Sequence, residues 1–158
     1  MPVRSLKDAT VVLADSGGSG GSNKCTVDVE EGDFSFTIRQ PANIISDRGV
    51  LDHARKGNEE PIEFSFSMQF QSFSTHAAPS PYDLVTKTGT ASAYTSDEPN
   101  SDVWAIIIEV TITDPAGGAS EVLTFERCLV EEITFTEGDP SDTLTFSGRA
   151  VDLLPTLS

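Results

Sequence analysis

From Pro61 to Phe73 the chain reads PIEFSFSMQFQSF. Ile62, Phe64, Phe66, Met68 and Phe70 alternate with Glu63, Ser65, Ser67, Gln69 and Gln71. Successive side chains of a strand point to opposite faces, so a period of two predicts a β-strand with one apolar face on a core and one polar face away from it. Phe73 falls out of phase by one residue, which marks a bulge or the exit of the strand from its sheet.

The same pattern recurs on both sides. Upstream, FSFTIRQP sets Phe34, Phe36 and Ile38 against Ser35, Thr37 and Arg39, and Pro41, which has no N–H to give a ladder, ends the strand. TVVL at 10–13 and KCTVDVE from Lys24, with Cys25, Val27 and Val29 in phase, predict two further strands. Between them DSGGSGGSN, residues 15–23, has the Gly/Ser spacing of a flexible hairpin tip. A phosphate-cradling loop would continue into Lys-Ser/Thr and a helix, but here a strand follows.

Downstream, SPYDLVTKTG predicts a short helix. Ser80 is the N-cap, Pro81 takes the first helical position, Asp83 closes a capping box and Gly89 lies past the end. VWAIIIEVTIT has Trp104, Ile106, Ile108, Val110 and Ile112 on one face and a partly apolar reverse side, as a central strand would. In EVLTFERCLVEEITFT the phase of Leu123, Phe125, Leu129, Ile133 and Phe135 is interrupted at Arg127 and Glu131, which fits two strands or one bent strand. TLTFSGRAVDLL adds Leu144 and Phe146. These segments predict a mainly β chain: one antiparallel sandwich or barrel-like domain over 1–158, with one short α-helix.

One segment does not fit a simple meander. NIISDRGVLDHARKGNEEP, residues 43–61, is far longer than the two to five residues of most hairpin connections, so it predicts a functional loop or a disordered one. It carries both charge signs and the apolar pair Val50 and Leu51.

At 158 residues the chain can bury a core without staples. Its formal charge is -15, with -4 over 1–89 and -11 over 90–158. A surface of that sign repels phosphates, which disfavours gripping nucleic acid through displaced counterions. The longest apolar run, 103–108, is too short to span a membrane, and the N-terminus lacks the apolar stretch of a secretion signal, so the expectation is a protein that acts where it is made, with no membrane partner. Cys25 and Cys128 both fall in strand-like runs. A reducing cytosol would leave them as small buried hydrophobes, and their pairing stays open.

No catalytic constellation emerges. His53 and His76 stand in no nucleophile motif, and the two histidines and two cysteines lack the close pairs of a zinc site. Two acidic turns, Asp97, Glu98 and Asp102 and then Glu137, Asp139 and Asp142, offer hard oxygen ligands without the spacing of a twelve-residue calcium loop; they read as solvated acids. The expectation is a non-enzyme without cofactor or metal.

The order of elements, a strand after EGD, a long excursion with DRGVLDHARKGNEEP, a phenylalanine-alternating strand, the SPYDLVTKTG helix and acidic strands to the end, resembles the tail tube protein (major tail protein) of long-tailed, siphovirus-type bacteriophages. The likeness runs over 27–150 and is densest over 33–70. It implies homohexameric rings stacked into a tube in the virion tail, assembled in the host bacterial cytoplasm, with tail tip, terminator and tape-measure proteins as partners and DNA passing without specific binding. It implies four strands per subunit in an inner barrel of about twenty-four. At ~4.8 Å between strands and roughly 40° tilt, such a barrel is about 48 Å across its backbone and leaves roughly 38 Å inside its side chains.

The long excursion would then be an inter-subunit, ring-stacking loop, with Asp47, Arg48, Val50, Leu51, Arg55 and Lys56 as its contact residues. The polar residues Glu63, Ser65, Ser67, Gln69 and Gln71 are the candidate lumen lining, a face that holds no cation apart from the neighbouring Arg39. Two other classes stay open: a Ca²⁺-dependent adhesive or carbohydrate-binding β-sandwich, and a capsid decoration protein. Six copies at -15 give a ring of -90. Screening relieves repulsion among like-charged subunits, so polymerisation followed by light scattering should rise with added salt; assemblies that dissolve in modest salt would mean that ionic contacts dominate.

Overall fold

The computed structural model describes residues 9–17, 23–27, 33–70, 79–98, 103–114, 116–139, 141–152 and 154–158. Gln71, Phe73, His76, Asp102 and most of the Gly/Ser tip at 15–23 lie outside them. In chain order the strands are β1 (Ala9–Ala14), β2 (Lys24–Val27), β3 (Ser35–Thr37), β4 (Ala42–Asp47), β5 (Val50–Lys56), β6 (Ile62–Gln69), β7 (Ile106–Ile112), β8 (Glu121–Thr136), β9 (Thr143–Ala150) and β10 (Thr156–Leu157). Helix α1 (Pro81–Thr86) and a 3-10 turn (Gly89–Ala91) lie between β6 and β7.

The alternation in β6 sets the core. Ile62, Phe64, Phe66 and Met68 are buried, and β6 pairs antiparallel with β3 on one side and β9 on the other. Phe66 faces Phe146 in register, with ring centroids 5.2 Å apart, and Met68 faces Leu144. The main sheet runs β2-β1-β7-β8-β9-β6-β3, with β10 also on β8. It folds over on itself: Phe36, from its β3 edge, packs 5.1 Å from Phe125 of β8, and Phe34 contacts both Phe66 and Phe125. This is an antiparallel β-sandwich-like fold with one short helix. As expected of a central strand, β7 lies between β1 and β8 and buries Ile106, Ile107 and Ile108 on both faces.

The choice between two strands and one bent strand at 121–136 resolves as one. The first half of β8 pairs with β7 and the second half with β9, so a single strand belongs to both layers. Two irregularities allow this. Arg127 takes a left-handed φ of 50°, and the register against β9 slips between Val130 and Glu132. Each flips the alternation by one, so the core-side positions run Phe125, Cys128, Val130, Ile133. Leu129, placed inward by the sequence pattern, instead faces Arg149 on the polar side.

The bend is tied from several directions. Asp97 accepts from the Arg127 N–H at 2.7 Å, and the Arg127 guanidinium reaches Glu98 at 3.3 Å, Asp152 at 3.4 Å and the Val151 carbonyl. Gly148 lies opposite the slip. A Cβ there would collide with the Leu129 carbonyl, so only glycine allows this approach.

Helix α1 begins as the sequence indicates. Ser80 Oγ accepts from the Asp83 N–H at 3.1 Å, and Pro81 occupies the first turn. The reciprocal half of the capping box is not made. The Asp83 carboxylate lies against Gly89 instead, where a Cβ would approach to 2.8 Å. The helix ends at Lys87 in the left-handed region, and Leu84 and Val85 bury themselves on the core side. Trp104 Nε1 donates to the Leu84 carbonyl at 2.9 Å, fastening the helix to the segment before β7. Cys25 and Cys128 are free and buried.

Phe66 is fully buried and contacts the rings of Phe34, Phe64 and Phe146. Phe66→Ala should therefore cost about 3–5 kcal/mol of stability, read as a lower chemical-denaturation midpoint. A loss under about 1 kcal/mol would show that this aromatic cluster does not hold the layers together.

Candidate functional site

Two surfaces stand apart from the core: the polar face of the β3-β6-β9-β8 layer and the projecting β4–β5 hairpin. On the first, strand pairing brings Glu63, Ser65, Ser67 and Gln69 onto one face, as the alternation predicted. Their cross-strand partners extend it. Ser35 lies opposite Ser65, Ser65 opposite Ser147, Ser67 opposite Thr145 and Gln69 opposite Thr143; β8 adds Glu132, Thr134 and Thr136. Ser67 and Thr145 hydroxyls are bonded at 2.8 Å. The partners on β9 were not singled out from sequence, although the inward phase of Leu144 and Phe146 already assigns Thr143, Thr145 and Ser147 to the other side.

The expectation of a face without cations needs correction. Arg149 lies directly opposite Glu63 and donates from Nε to Glu131 at 2.9 Å, and Arg39 donates to Glu63 at 2.7 Å. The isolated alternation of β6 hid this, because Arg149 arrives from a strand eighty residues away in the chain. Both arginines are neutralised in place, Arg39 by Glu63 and Arg149 by Glu131, and Glu132 leaves the face weakly acidic and rich in hydroxyls. Other acids of the second half, among them Glu121, Glu126, Glu137 and Asp139, lie outside it.

The excursion at 43–61 is a β-hairpin, and the expectation of a loop is corrected accordingly. β4 and β5 form their own two-stranded sheet. Arg48 and Gly49, both at positive φ, make the two-residue turn, the signature of a type I′ hairpin. Gly57 N–H donates to the Pro41 carbonyl at 2.7 Å and closes the root. Asp47, Arg48, Val50, Leu51, Arg55 and Lys56 all lie on the hairpin and all are exposed. Ile44, opposite Ala54, shares one face with Leu51, opposite Ser46, whereas Val50 pairs with Asp47 on the other. Ile44, Val50 and Leu51 are 68%, 69% and 74% exposed.

Three acids of the two acidic turns have partners within the chain. Asp97 and Glu98 are committed to Arg127 at the β8 bend, and Asp142 accepts from the Gly138 N–H at 3.3 Å. Among the described residues no group of three or more His, Cys, Asp or Glu side chains is placed to hold a metal ion. His53 bonds the neighbouring Asp52 at 2.7 Å on the exposed hairpin. No helix among the described residues is long and apolar enough to cross a membrane.

The hydrogen-bonded Arg149 guanidinium holds the Glu131 carboxyl below the usual carboxylate range. A lowered folded-state value means that the pair favours the fold above the ordinary carboxylate pKa, and that this contribution is lost as pH falls through the folded value. Arg149→Gln should return the Glu131 titration, followed by NMR, to the ordinary range. An unchanged midpoint would show that the pair does not form in solution.

No family model and no curated protein matches the sequence. Solved structures do match. A chain of the cryo-EM structure of an extracellular contractile injection system, the PVC sheath/tube terminator in its extended state, superposes with a TM-score of 0.63 and 11% identity, over 100% of this chain and 96% of that one. A chain of the PVC sheath-tube complex in the extended state gives 0.62 and 12%, over 100% and 90%. A chain of the anti-feeding prophage (AFP) baseplate gives 0.57 and 9%, over 100% and 96%. At these identities the likeness is one of fold. Two of these chains come from an extracellular contractile injection system and one from a prophage baseplate, so the likeness supports a phage-tail-like fold in general and does not single out the long-tailed siphovirus type.

Proposed function

We propose that this chain is a structural, non-enzymatic subunit of a phage-tail-like tube. Six copies form a ring, rings stack into a hollow tube, and the polar β3-β6-β9-β8 face lines the lumen. The observation that carries this reading is the full-length superposition on chains of sheath-tube and baseplate structures. The hydroxyl-rich, weakly acidic face suits a conduit: it offers water-like hydrogen bonding but no unpaired cation among the described residues to grip a phosphate backbone. DNA would pass through it without adhering. The hairpin serves as the arm between copies, and other tail proteins cap the tube's ends. The finished tube belongs to a virion or virion-like particle assembled in the bacterial cytoplasm.

Negative-stain electron microscopy of the purified protein tests this directly. Rings or hollow tubes are expected at high concentration; particles of single-chain size at every concentration would count against it. Replacing 42–56 with a Gly-Ser link across the closed root should leave circular dichroism and melting of the sandwich unchanged while abolishing tubes. Tubes of normal length from that variant would remove the hairpin from assembly.

A further inference from the structure

The hairpin tip and a groove at the hairpin's root are two apolar patches that cannot meet within one chain. The groove, of about 800 Å³, opens where Glu59, Glu60 and Pro61 leave the hairpin and pass the ends of β8 and β9. Leu129, Val151 and Leu154 supply its apolar lining, and Leu154 is 57% exposed. A smaller hollow of about 300 Å³ around Pro41, Lys56 and Asn58 adjoins it, sharing Glu59 and Leu154. Leu51 stands five residues along β5 from Lys56, ~17 Å at the rise of a strand, so the tip of a hairpin closed at Pro41 and Gly57 stands well clear of its own root.

Charge matches as well as shape. Arg48, in the tip turn, has no ion-pair partner among the described residues. In the groove, Arg127 and Arg149 are already engaged by Glu98, Asp152 and Glu131. Glu60, 4.0 Å from the Arg39 guanidinium, is the most weakly paired of the groove's acids, against 2.8 Å for Glu59 and 3.4 Å for Asp152.

We propose that the hairpin tip of one copy seats in the root groove of the laterally adjacent copy of this chain, Ile44 and Leu51 against Leu129, Val151 and Leu154, and Arg48 against Glu60. Root and groove lie at the same end of the polar face, since Ile62 pairs with Ala150 and Glu63 with Arg149. Parallel copies side by side therefore hold the groove of one level with the hairpin root of the other, without either turning over. The two patches differ, so the contact is heterologous, the kind that generates a closed ring when its rotation closes. This rests on the reading of the hairpin as an arm between copies.

The test is oxidative cross-linking of the full chain carrying Leu51→Cys and Leu154→Cys together, and of the two single variants mixed. Both positions are exposed, so the fold is retained. Burial pushes the native Cys25 thiol up to about 12 and the Cys128 thiol up as well, which keeps both protonated and silent. A bridge within one chain is out of reach, because a disulfide needs Cα atoms within about 7 Å.

The expected result is a ladder on a non-reducing gel that stops at one closed oligomer. Mixed dimers should form from the two single variants at about tenfold the yield of Leu51→Cys paired with a Thr134→Cys control. Tubes visible by microscopy without a 51–154 link would overturn the groove and leave the tube reading standing. A ladder without an upper limit would place the contact between rings and overturn the lateral seat. A closed ladder without tubes would uphold the groove and sink the tube reading; neither links nor tubes would sink both.

Discussion

A single strand has to serve two layers, and the rest of the molecule is arranged around that constraint. β8 gives its first half to β7 and its second half to β9, turning at a left-handed Arg127 and slipping register before Glu132. The turn is stable because its freed N–H and its charge have partners: Asp97 takes the N–H, and Glu98 and Asp152 take the guanidinium. The slip is possible because Gly148 has no side chain to meet the Leu129 carbonyl. Bend, bulge and glycine thus act as one device, and the aromatic packing of Phe34, Phe36, Phe66, Phe125 and Phe146 forms across the space it encloses.

The strands that build this core also build its opposite. Every second residue of β6 and β9 contributes a hydroxyl, an amide or a paired charge to a face that meets solvent, while the alternate residues are apolar and mostly buried. The two faces are coupled by register, since a slip of one residue would exchange them. A surface made this way is polar and rich in hydroxyls across four adjacent strands.

Much of this was legible in the chain. β6, the N-cap at Ser80 and the two-sided burial of β7 follow from alternation and capping chemistry, because each depends on residues close in sequence. Three features were not. Leu129 was assigned to the core because a left-handed arginine leaves no local signature. Arg149 was missed on the polar face because its place there is set by pairing with β6. The hairpin at 43–61 was read as a loop because a ribbon solvated on both sides has no apolar face to generate a period, and Arg48-Gly49 is not a common hairpin-turn pair. The six residues singled out on it were nonetheless chosen together, because charge and apolar character concentrate there whatever the backbone does.

The hairpin carries one more consequence, which concerns heat. A lone two-stranded ribbon is marginal in water, so ordering it and covering Ile44, Val50 and Leu51 would occur in one step, at the moment another surface meets it. Covering apolar area gives association a negative heat-capacity change, and such contacts weaken on cooling. An assembly sealed through these three side chains would hold most firmly when warm and loosen in the cold, opposite to the behaviour of one held by hydrogen bonds alone.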